Sequence, residues 1–226
     1  VQHATLTLRQ DLRNLGLGAV VWDCGEDLAA FLGRHRYLVS EKRVLDLGAG
    51  TGVAGLAAAQ CGAKDVVLTD RHALQHLVRS NVERNSGSFS GPGCPRVTVM
   101  SFSWDNHTAV EARELSSPEF DIVLASDCLY DSAMFAAFRR ALAATCGPRT
   151  ILLMAYKRRH NSREKDFFAQ LEDDFELELV DPRPCDPLKA SKDMEGRIAA
   201  VGKITINRNR GVYLLLGVRR GYRYSE

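Results

Sequence analysis

A glycine-rich run at residues 44–52 constrains the fold more than any other part of this sequence. It reads VLDLGAGTG, so a short apolar segment with branched side chains passes through Asp46 and leads into three alternating glycines. Branched residues favour a β-strand, and the apolar residues 53–60 then follow a helical pattern. The glycines therefore lie at a strand-to-helix turn, which is where α/β sheets bind ligands.

Two classes of cofactor bind at such a turn, and the glycine spacing alone leaves both open. Gly50, Gly52 and Gly55 match the G-x-G-x-x-G of dinucleotide-binding proteins. Gly48, however, follows the strand directly, and Asp46 precedes it as in the D-x-G-x-G-x-G motif of S-adenosylmethionine (SAM) binding. In that arrangement Asp46 could receive the cationic methionine end of the cofactor. The placement of the motif therefore favours SAM.

A second acidic residue ends the next apolar segment. Residues 65–70 read DVVLTD and predict a buried strand that ends at Asp70. A carboxylate accepts hydrogen bonds from both hydroxyls of a ribose, which makes Asp70 a candidate for binding the sugar of the cofactor. Because Asp is also a preferred N-cap residue, capping of the following helix is the alternative role.

Apolar segments alternate with helical patterns along most of the chain, which is typical of β-α units. We expect an α/β fold, a Rossmann-like seven-stranded mainly parallel sheet with helices on both faces. The 226 residues, 45% of them hydrophobic, indicate one domain over 1–226 with an N-terminal extension at about 1–20. The predicted strands cover 43–47, 65–69, 96–101, 120–125, 150–155, 175–180 and 212–218, and the predicted helices cover 24–38, 52–61, 72–85, 131–145 and 161–172. Residues 202–207 could form a further strand.

Composition and charge exclude several partners. The chain has 30 Lys and Arg residues against 28 Asp and Glu residues, so its net charge is too small to attract nucleic acid electrostatically. No apolar run approaches the ~20 residues of a membrane-spanning helix. The six cysteines lack C-x-x-C spacing and are expected to be reduced thiols. We expect a monomer without a membrane or nucleic-acid partner, located in the cytoplasm, with the nucleus left open as a second location.

Two histidines have the spacing of metal ligands. His72 and His76 are four residues apart on a predicted helix. No further ligand residues cluster around them in the sequence, so we expect no metal site.

An acid and an aromatic residue follow the fourth predicted strand. The segment IVLAS at 122–126 leads into Asp127, and Tyr130 comes three residues later. The carboxyl ends of parallel strands meet at one edge of the sheet, so both residues should face the glycine turn across the cofactor crevice. This position suits catalytic residues, although Asp127 could instead be the N-cap of the next helix.

Five motifs in this order resemble one family. They are the V-W-D element at 21–23 with the preceding Val20, the glycine motif from Asp46 to Gly52, Asp70, Trp104 after the third strand, and the D-x-x-Y from Asp127 to Tyr130. Together they resemble the seven-β-strand protein lysine methyltransferases of the methyltransferase-like family, over roughly residues 18–172. That family includes enzymes acting on valosin-containing protein, a heat-shock chaperone and translation elongation factors.

The resemblance implies a role for each matching residue. Residues implied to contact SAM are Trp22, Gly48, Ala49, Gly50, Asp70, Trp104 and Ser126, and those implied to shape the slot for the target amine are Asp127 and Tyr130. The two tryptophans can cover apolar or cationic parts of the cofactor, since a sulfonium is attracted to an aromatic face. The alternative for each tryptophan is core packing.

The implied reaction transfers a methyl group to a lysine amine of a protein substrate. A lysine with a pKa near ~10.4 is mostly charged at neutral pH, yet the nucleophile must be neutral. We therefore expect Asp127 to orient the amine first and to act as a base second, with water as another route for the proton. Tyr130 offers a ring wall or a hydroxyl.

The segment 155–160, AYKRRH, departs from the family, which often places an acidic residue after the aromatic one. A basic rim there would favour acidic substrate surroundings, and a solvated loop is the alternative. Two other functions remain open. One is methyl transfer to protein histidine, a nucleic-acid base or a small-molecule amine, and the other is a Rossmann-like module that holds a nucleotide without chemistry.

Overall fold

A seven-stranded sheet forms the centre of the protein in a computed structural model, which describes residues 5–89, 93–159, 161–179 and 211–220. The strands are β1 (Arg43–Leu47), β2 (Asp65–Asp70), β3 (Arg96–Ser101), β4 (Ile122–Ser126), β5 (Ile151–Lys157), β6 (Phe175–Leu179) and β7 (Val212–Arg219). Their order in the sheet is β3-β2-β1-β4-β5-β7-β6. Strands β1 to β5 are parallel, and β7 runs antiparallel between β5 and β6. The predicted mainly parallel seven-stranded sheet is confirmed.

Helices cover both faces of this sheet, as predicted. They are α1 (Leu12–Leu15), α2 (Asp23–Arg34), α3 (Val53–Gln60), α4 (Gln75–Asn85), α5 (Ala109–Leu115), α6 (Phe135–Thr145) and α7 (Asn161–Asp174). Residues of α2, α3 and α4 pack in one buried cluster, and residues of α5, α6 and α7 pack in another on the opposite face. No helix within the described part of the chain is both long and apolar enough to cross a membrane.

Two helices were not predicted from the sequence. Helix α1 has only four residues, and α5 begins with a capping box in which Thr108 accepts from the Glu111 N–H and Glu111 accepts from the Thr108 N–H. The spacing of these two residues is a sequence signal for a helix start, and it could have been used. The possible strand at 202–207 lies outside the described residues.

The chain reverses direction across the sheet between β1 and β4. From β1 the chain builds outward through β2 to β3, and it then returns to place β4 on the other side of β1. Loops at the carboxyl ends of these two central strands diverge, which leaves a crevice at this switch point. The glycine turn after β1 and the D-x-x-Y after β4 therefore lie on either side of one crevice.

The inward side chains of β1 decide how closely α3 can approach the sheet. Leu45 and Leu47 point to the face of α6, so Asp46 between them points to the face of α3. The Asp46 Oδ2 accepts a hydrogen bond of 2.8 Å from the Gly55 N–H in α3. A Cβ at Gly55 would lie 2.2 Å from the Leu68 Cδ2. Any side chain at this position would have to displace Leu68 or move α3 away from the sheet.

Replacing Gly55 with alanine should destabilise the fold. The added methyl group overpacks the contact with Leu68, and the higher helix propensity of alanine offsets part of that effect, so we expect a net loss of about 1–2 kcal/mol in the free energy of unfolding. Urea denaturation measures this difference. The matched control is Gly87→Ala, where the added methyl group meets no atom within 4 Å. Equal stability of the two variants would contradict the proposed packing role of Gly55.

Candidate cofactor and acceptor site

A cavity of about 460 Å³ opens at the carboxyl edge of β1 and β4. Pockets that bind drug-sized ligands and cofactors have this volume. It is lined by the N-terminal segment before α2, the glycine turn, the ends of β2 and β3, and the loop after β4. The sequence-predicted residues that line it are Trp22, Gly48, Ala49, Gly50, Asp70, Trp104, Ser126, Asp127 and Tyr130.

The glycine turn presents bare backbone to the cavity. Gly48 and Gly50 have φ angles of 79° and 58°, a region that residues with a Cβ rarely adopt. A Cβ at Gly48 would lie 2.5 Å from the Trp104 Cζ2, and a Cβ at Gly50 would lie 2.8 Å from the Gly18 carbonyl oxygen. Side chains at these positions would fill space between the turn and the cavity walls.

Asp70 holds the glycine turn from the neighbouring strand. Its Oδ2 accepts a 2.8 Å hydrogen bond from the Gly50 N–H, and its Oδ1 accepts one of the same length from the Arg71 N–H. Burial raises the pKa of the Asp70 carboxyl, and the two hydrogen bonds oppose that rise. The N-cap alternative is wrong, because α4 begins only at Gln75, with Leu74 at its N-cap position.

The two tryptophans lie on different walls of the cavity. Trp22 is 40% exposed at the mouth, and its indole N–H donates to the Leu17 carbonyl oxygen at 3.0 Å, so core packing does not explain it. Trp104 covers Gly48 on one side and packs against Phe138 on the other, with 4.7 Å between the ring centroids. Core packing therefore accounts for one face of Trp104, while the residue also lines the cavity.

Asp46 is the predicted cofactor residue that the structure does not place on the cavity. Its side chain is fully buried beneath α3, where Oδ2 is bonded to Gly55. Burial raises the pKa of the Asp46 carboxyl to about 7, against the effect of the hydrogen bond from Gly55. Strand alternation turns this side chain toward α3, and its Oδ1 is buried without a hydrogen-bond partner among the described residues. The expected contact with the methionine end of the cofactor stays a prediction.

Asp127 leaves the end of β4 in a left-handed conformation. Its φ is 57°, and its N–H donates to the Ala155 carbonyl oxygen of β5 at 2.9 Å, which fixes the backbone at the sheet edge. The N-cap alternative is wrong here as well, since Asp131 caps the short helix that follows by accepting from the Ala133 N–H. The carboxylate of Asp127 is thus available to the cavity rather than to a helix end.

Tyr130 projects over the cavity with 40% of its surface exposed. Partial burial raises the pKa of its hydroxyl, an effect that the nearby Arg71 opposes. The phenol therefore stays protonated at neutral pH. Tyr130 offers a ring and a neutral hydroxyl to an incoming group, but it offers no basic phenolate.

The reasoning from the sequence placed Arg159 in the basic segment but did not predict its contact with Asp127. Arg159 binds the Asp127 carboxylate with both guanidinium ends, Nη1 to Oδ1 at 2.6 Å and Nη2 to Oδ2 at 2.8 Å. Cys24 of α2 also donates to the Asp127 Oδ1 at 3.4 Å. Because Arg159 follows β5, the strand next to β4, its position at the same sheet edge was a usable signal.

Three cations of the 155–160 segment contact other parts of the protein. Besides the pair formed by Arg159, Lys157 forms an ion pair with Asp23 of α2, and the Arg158 guanidinium lies 5.2 Å from the centre of the Tyr213 ring. Arg158 and Arg159 are nevertheless exposed, so the basic rim and its solvated-loop alternative both stay predictions, and His160 lies outside the described residues. Among the described residues, no three His, Cys, Asp or Glu side chains form a group that could hold a metal ion.

Comparison with known proteins identifies the family of this chain. The family model described as lysine methyltransferase matches residues 1–174. The chain belongs to the lysine methyltransferase family. The resemblance drawn from the five motifs is confirmed, and the protein is a SAM-dependent protein-lysine methyltransferase.

Individual relatives agree with this family. The chain is 32% identical over 176 residues to the protein N-lysine methyltransferase METTL21A of Mus musculus, covering 78% of this chain and 77% of the relative. It is 31% identical over 167 residues to the EEF1A lysine methyltransferase 3 of Mus musculus, covering 74% and 67%.

Solved structures share the fold. A predicted O-methyltransferase from Agrobacterium tumefaciens has a TM-score of 0.56 at 19% identity, over 88% of this chain and 81% of its own. A TehB-like SAM-dependent methyltransferase from Corynebacterium glutamicum has a TM-score of 0.53 at 15% identity, over 86% and 88%.

The residues of the cavity fit SAM. Family membership decides between the two cofactor classes that the glycine spacing left open. Gly55, which completed the dinucleotide spacing, serves the packing of α3 on Leu68 instead. The bare backbone at Gly48 and Gly50 leaves a cradle that a Cβ would fill, and the Asp70 carboxylate lies beside it with its two oxygens at the sheet edge.

Replacing Gly50 with alanine should weaken SAM binding by about tenfold or more, because the methyl group collides with the Gly18 carbonyl oxygen and shifts the cradle. Isothermal calorimetry measures the dissociation constant. Gly93→Ala is the matched control, since Gly93 has a similar φ of 77° and no atom within 4 Å of the added methyl group. Unchanged SAM affinity in Gly50→Ala would argue against a cradle at this position.

Proposed function

We propose that the enzyme methylates a lysine of a protein substrate at the ledge formed by Asp127 and Tyr130, facing the glycine turn. The observation that carries this proposal is that both residues line the same cavity as the turn, on the other side of the switch point between β1 and β4. A lysine side chain is long and thin, so it can reach such a ledge while the body of its protein stays outside.

Three groups of residues are proposed to hold SAM. The backbone of Gly48 to Gly50 approaches the cofactor closely, and Asp70 accepts hydrogen bonds from the ribose hydroxyls. Trp22 at the mouth and Trp104 over the turn cover its apolar and cationic parts. Ser126 closes the floor at the end of β4. These assignments rest on the lining of the cavity and on the family motifs.

The reaction is an in-line displacement at carbon. Bound SAM supplies a methyl group on a positively charged sulfur. The lone pair of the lysine nitrogen forms the new C–N bond while the S–C bond breaks and leaves its electron pair on sulfur, so the positive charge moves from sulfur to nitrogen. The proton that the lysine loses beforehand passes to water. Asp127 accepts an N–H hydrogen bond from the amine and thereby aims its lone pair.

Asp127 is proposed to orient the amine rather than to remove its proton. A carboxylate beside an ammonium stabilises the charged form, which opposes deprotonation. The guanidinium of Arg159 and the thiol of Cys24 already occupy three of the roughly four acceptor positions of this carboxylate. The remaining position suffices to fix the direction of one N–H.

The location and assembly of the enzyme are also proposals. Five cysteines of the described part of the chain are free thiols, and Cys24, Cys61, Cys128 and Cys146 are buried. Buried free thiols support a reducing compartment, which is the cytoplasm and, as a second location, the nucleus. We propose a monomer, which light scattering after gel filtration would test.

The lysine proposal is tested by incubating the protein with tritiated SAM and an extract from cells that lack it. A labelled protein band whose methyl group maps to lysine by mass spectrometry supports the proposal. Label on histidine, on nucleic acid or only on small molecules would support one of the other acceptors instead.

Asp127→Asn should abolish most of this transfer, by at least about a hundredfold, because the neutral amide presents a competing donor to the amine. SAM affinity measured by calorimetry should stay within about threefold of the unchanged protein. Asp166→Asn is the control, since Asp166 is an exposed acid on α7. If Asp127→Asn and Asp166→Asn label the substrate equally, Asp127 has no central role.

Tyr130 should act through its ring. Tyr130→Phe keeps the wall and should retain kcat and KM within about threefold, whereas Tyr130→Ala should raise the KM for the protein substrate about tenfold. Steady-state kinetics on the labelled protein distinguish the two variants. A large loss of kcat in Tyr130→Phe would instead assign the function to the hydroxyl.

A further inference from the structure

The acceptor ledge contains a second, opposite charge. The carboxylate of Asp127 and the guanidinium of Arg159 form a two-point contact, with N to O distances of 2.6 Å and 2.8 Å. The Asp127 side chain is 7% exposed and the Arg159 side chain is 29% exposed. Both residues line the cavity. A lysine that enters the ledge therefore meets an ion pair whose charges largely cancel.

Arg159 is held from both of its ends. Its backbone N–H donates to the Glu164 Oε1 at 2.6 Å, and Glu164 is buried at the start of α7. Asp127 is itself fixed by its bond to the Ala155 carbonyl oxygen. Pulling a guanidinium away from a nearly buried carboxylate leaves an uncompensated charge, which is strongly unfavourable. The pair thus persists when an amine binds beside it.

Other charged and titratable groups around the ledge do not replace this cation. Lys157 is paired with Asp23, and Arg163 of α7 donates to the Ser132 hydroxyl. Burial raises the pKa of the Cys24 and Cys128 thiols, so both stay neutral. The other charged or titratable side chains around the cavity do not contact the Asp127 carboxylate. They are Asp70 at the end of β2, Arg71 and Asp105 in the loops after β2 and β3, Tyr130 and Asp131 after β4, and Glu164 on α7.

The charge of the ledge decides the form in which an amine binds. An isolated carboxylate favours the ammonium form and raises the pKa of a lysine, while a neighbouring cation favours the free amine. Methyl transfer needs the free amine, because only that form has a lone pair on nitrogen. A carboxylate compensated by a guanidinium still accepts one N–H hydrogen bond, but it no longer selects the protonated nitrogen.

We propose that Arg159 is a positioning residue for methyl transfer, which fixes the Asp127 carboxylate and cancels its charge so that the acceptor lysine binds as a neutral amine. This inference rests on the proposed function at the same ledge. The two residues of the pair have different roles. Asp127 orients the amine nitrogen of the acceptor lysine, and Arg159 disfavours protonation of that nitrogen after its proton has passed to water.

The test is the pH dependence of kcat at saturating tritiated SAM and saturating acceptor, with the labelled protein purified from the extract as acceptor. Under these conditions the profile reports ionisation in the enzyme–substrate complex. In Arg159→Gln the rising limb should move to higher pH by about one unit or more, so that kcat falls about tenfold at pH 7.5 and recovers at high pH. Arg159→Lys keeps a positive charge and should keep the limb near its original position.

The matched control is Arg158→Gln, which removes the neighbouring guanidinium at the Tyr213 ring and not the one at Asp127. Its pH profile should equal that of the unchanged protein. Calorimetry with SAM should give affinities within about threefold for all variants, which separates an effect on the acceptor from an effect on the cofactor. If Arg159→Gln does not fold, Arg159→Lys alone provides the test. A rising limb of its pH profile that moves up by about one unit would overturn the charge argument, and a limb at its original pH supports it.

Four results would overturn the inference. An equal loss of kcat at every pH in Arg159→Gln would indicate a structural role alone. A gain of kcat at pH 7.5 would indicate that Arg159 blocks the ledge as a substitute for the substrate cation. Absence of label on any protein with the unchanged enzyme would overturn the proposed function, and this inference with it, whereas labelling with an undisplaced limb in a folded Arg159→Gln would overturn this inference only.

Discussion

The close contact between α3 and the first strand is the constraint on which the site depends. The Asp46 carboxylate accepts a hydrogen bond from the Gly55 N–H, and Gly55 has no side chain to keep the helix away from Leu68. This contact sets the start of α3 and with it the path of the glycine turn from Gly48 to Gly52. The arrangement buries the Asp46 carboxyl completely, which raises its pKa to about 7. Burial of this acidic group is unfavourable, and the packing of α3 on the sheet offsets that cost.

A second constraint acts at the opposite wall, where charges are paired before any ligand arrives. Lys157 at the end of β5 is paired with Asp23, and the two arginines after β5 contact the Tyr213 ring and Asp127. These cations therefore contribute to the structure of the crevice while the arginines stay exposed. The glycine turn supplies backbone groups to one wall, and an ion pair supplies the other. A cationic donor and an acceptor that must lose its own charge both fit between such walls.

Much of this architecture could be predicted because the signals were local. Strand β1 was predicted with its observed bounds, since branched residues precede glycines there. Asp70 ends a strand, Trp104 follows one and Trp22 precedes a helix, all at the sheet edge that forms the cavity. Helix α5 has a local signal as well, its capping box, but its seven residues are too few for a clear helical periodicity of apolar side chains. The N-cap alternatives for Asp70 and Asp127 failed because short turns intervene before the helices, and turn geometry is not visible in helical periodicity.

By itself, the sequence determined the order of the strands and of five helices, the ligand-binding turn and the family, because each depends on residues that are neighbours in the chain or on a motif of fixed spacing. Only the tertiary structure decided that Asp46 turns into the core and that Arg159 binds Asp127, a residue 32 positions away in the chain. The physical reason is that side-chain direction and ion pairing depend on which strands become neighbours. Strand neighbours are chosen by the packing of the whole sheet and not by the local sequence.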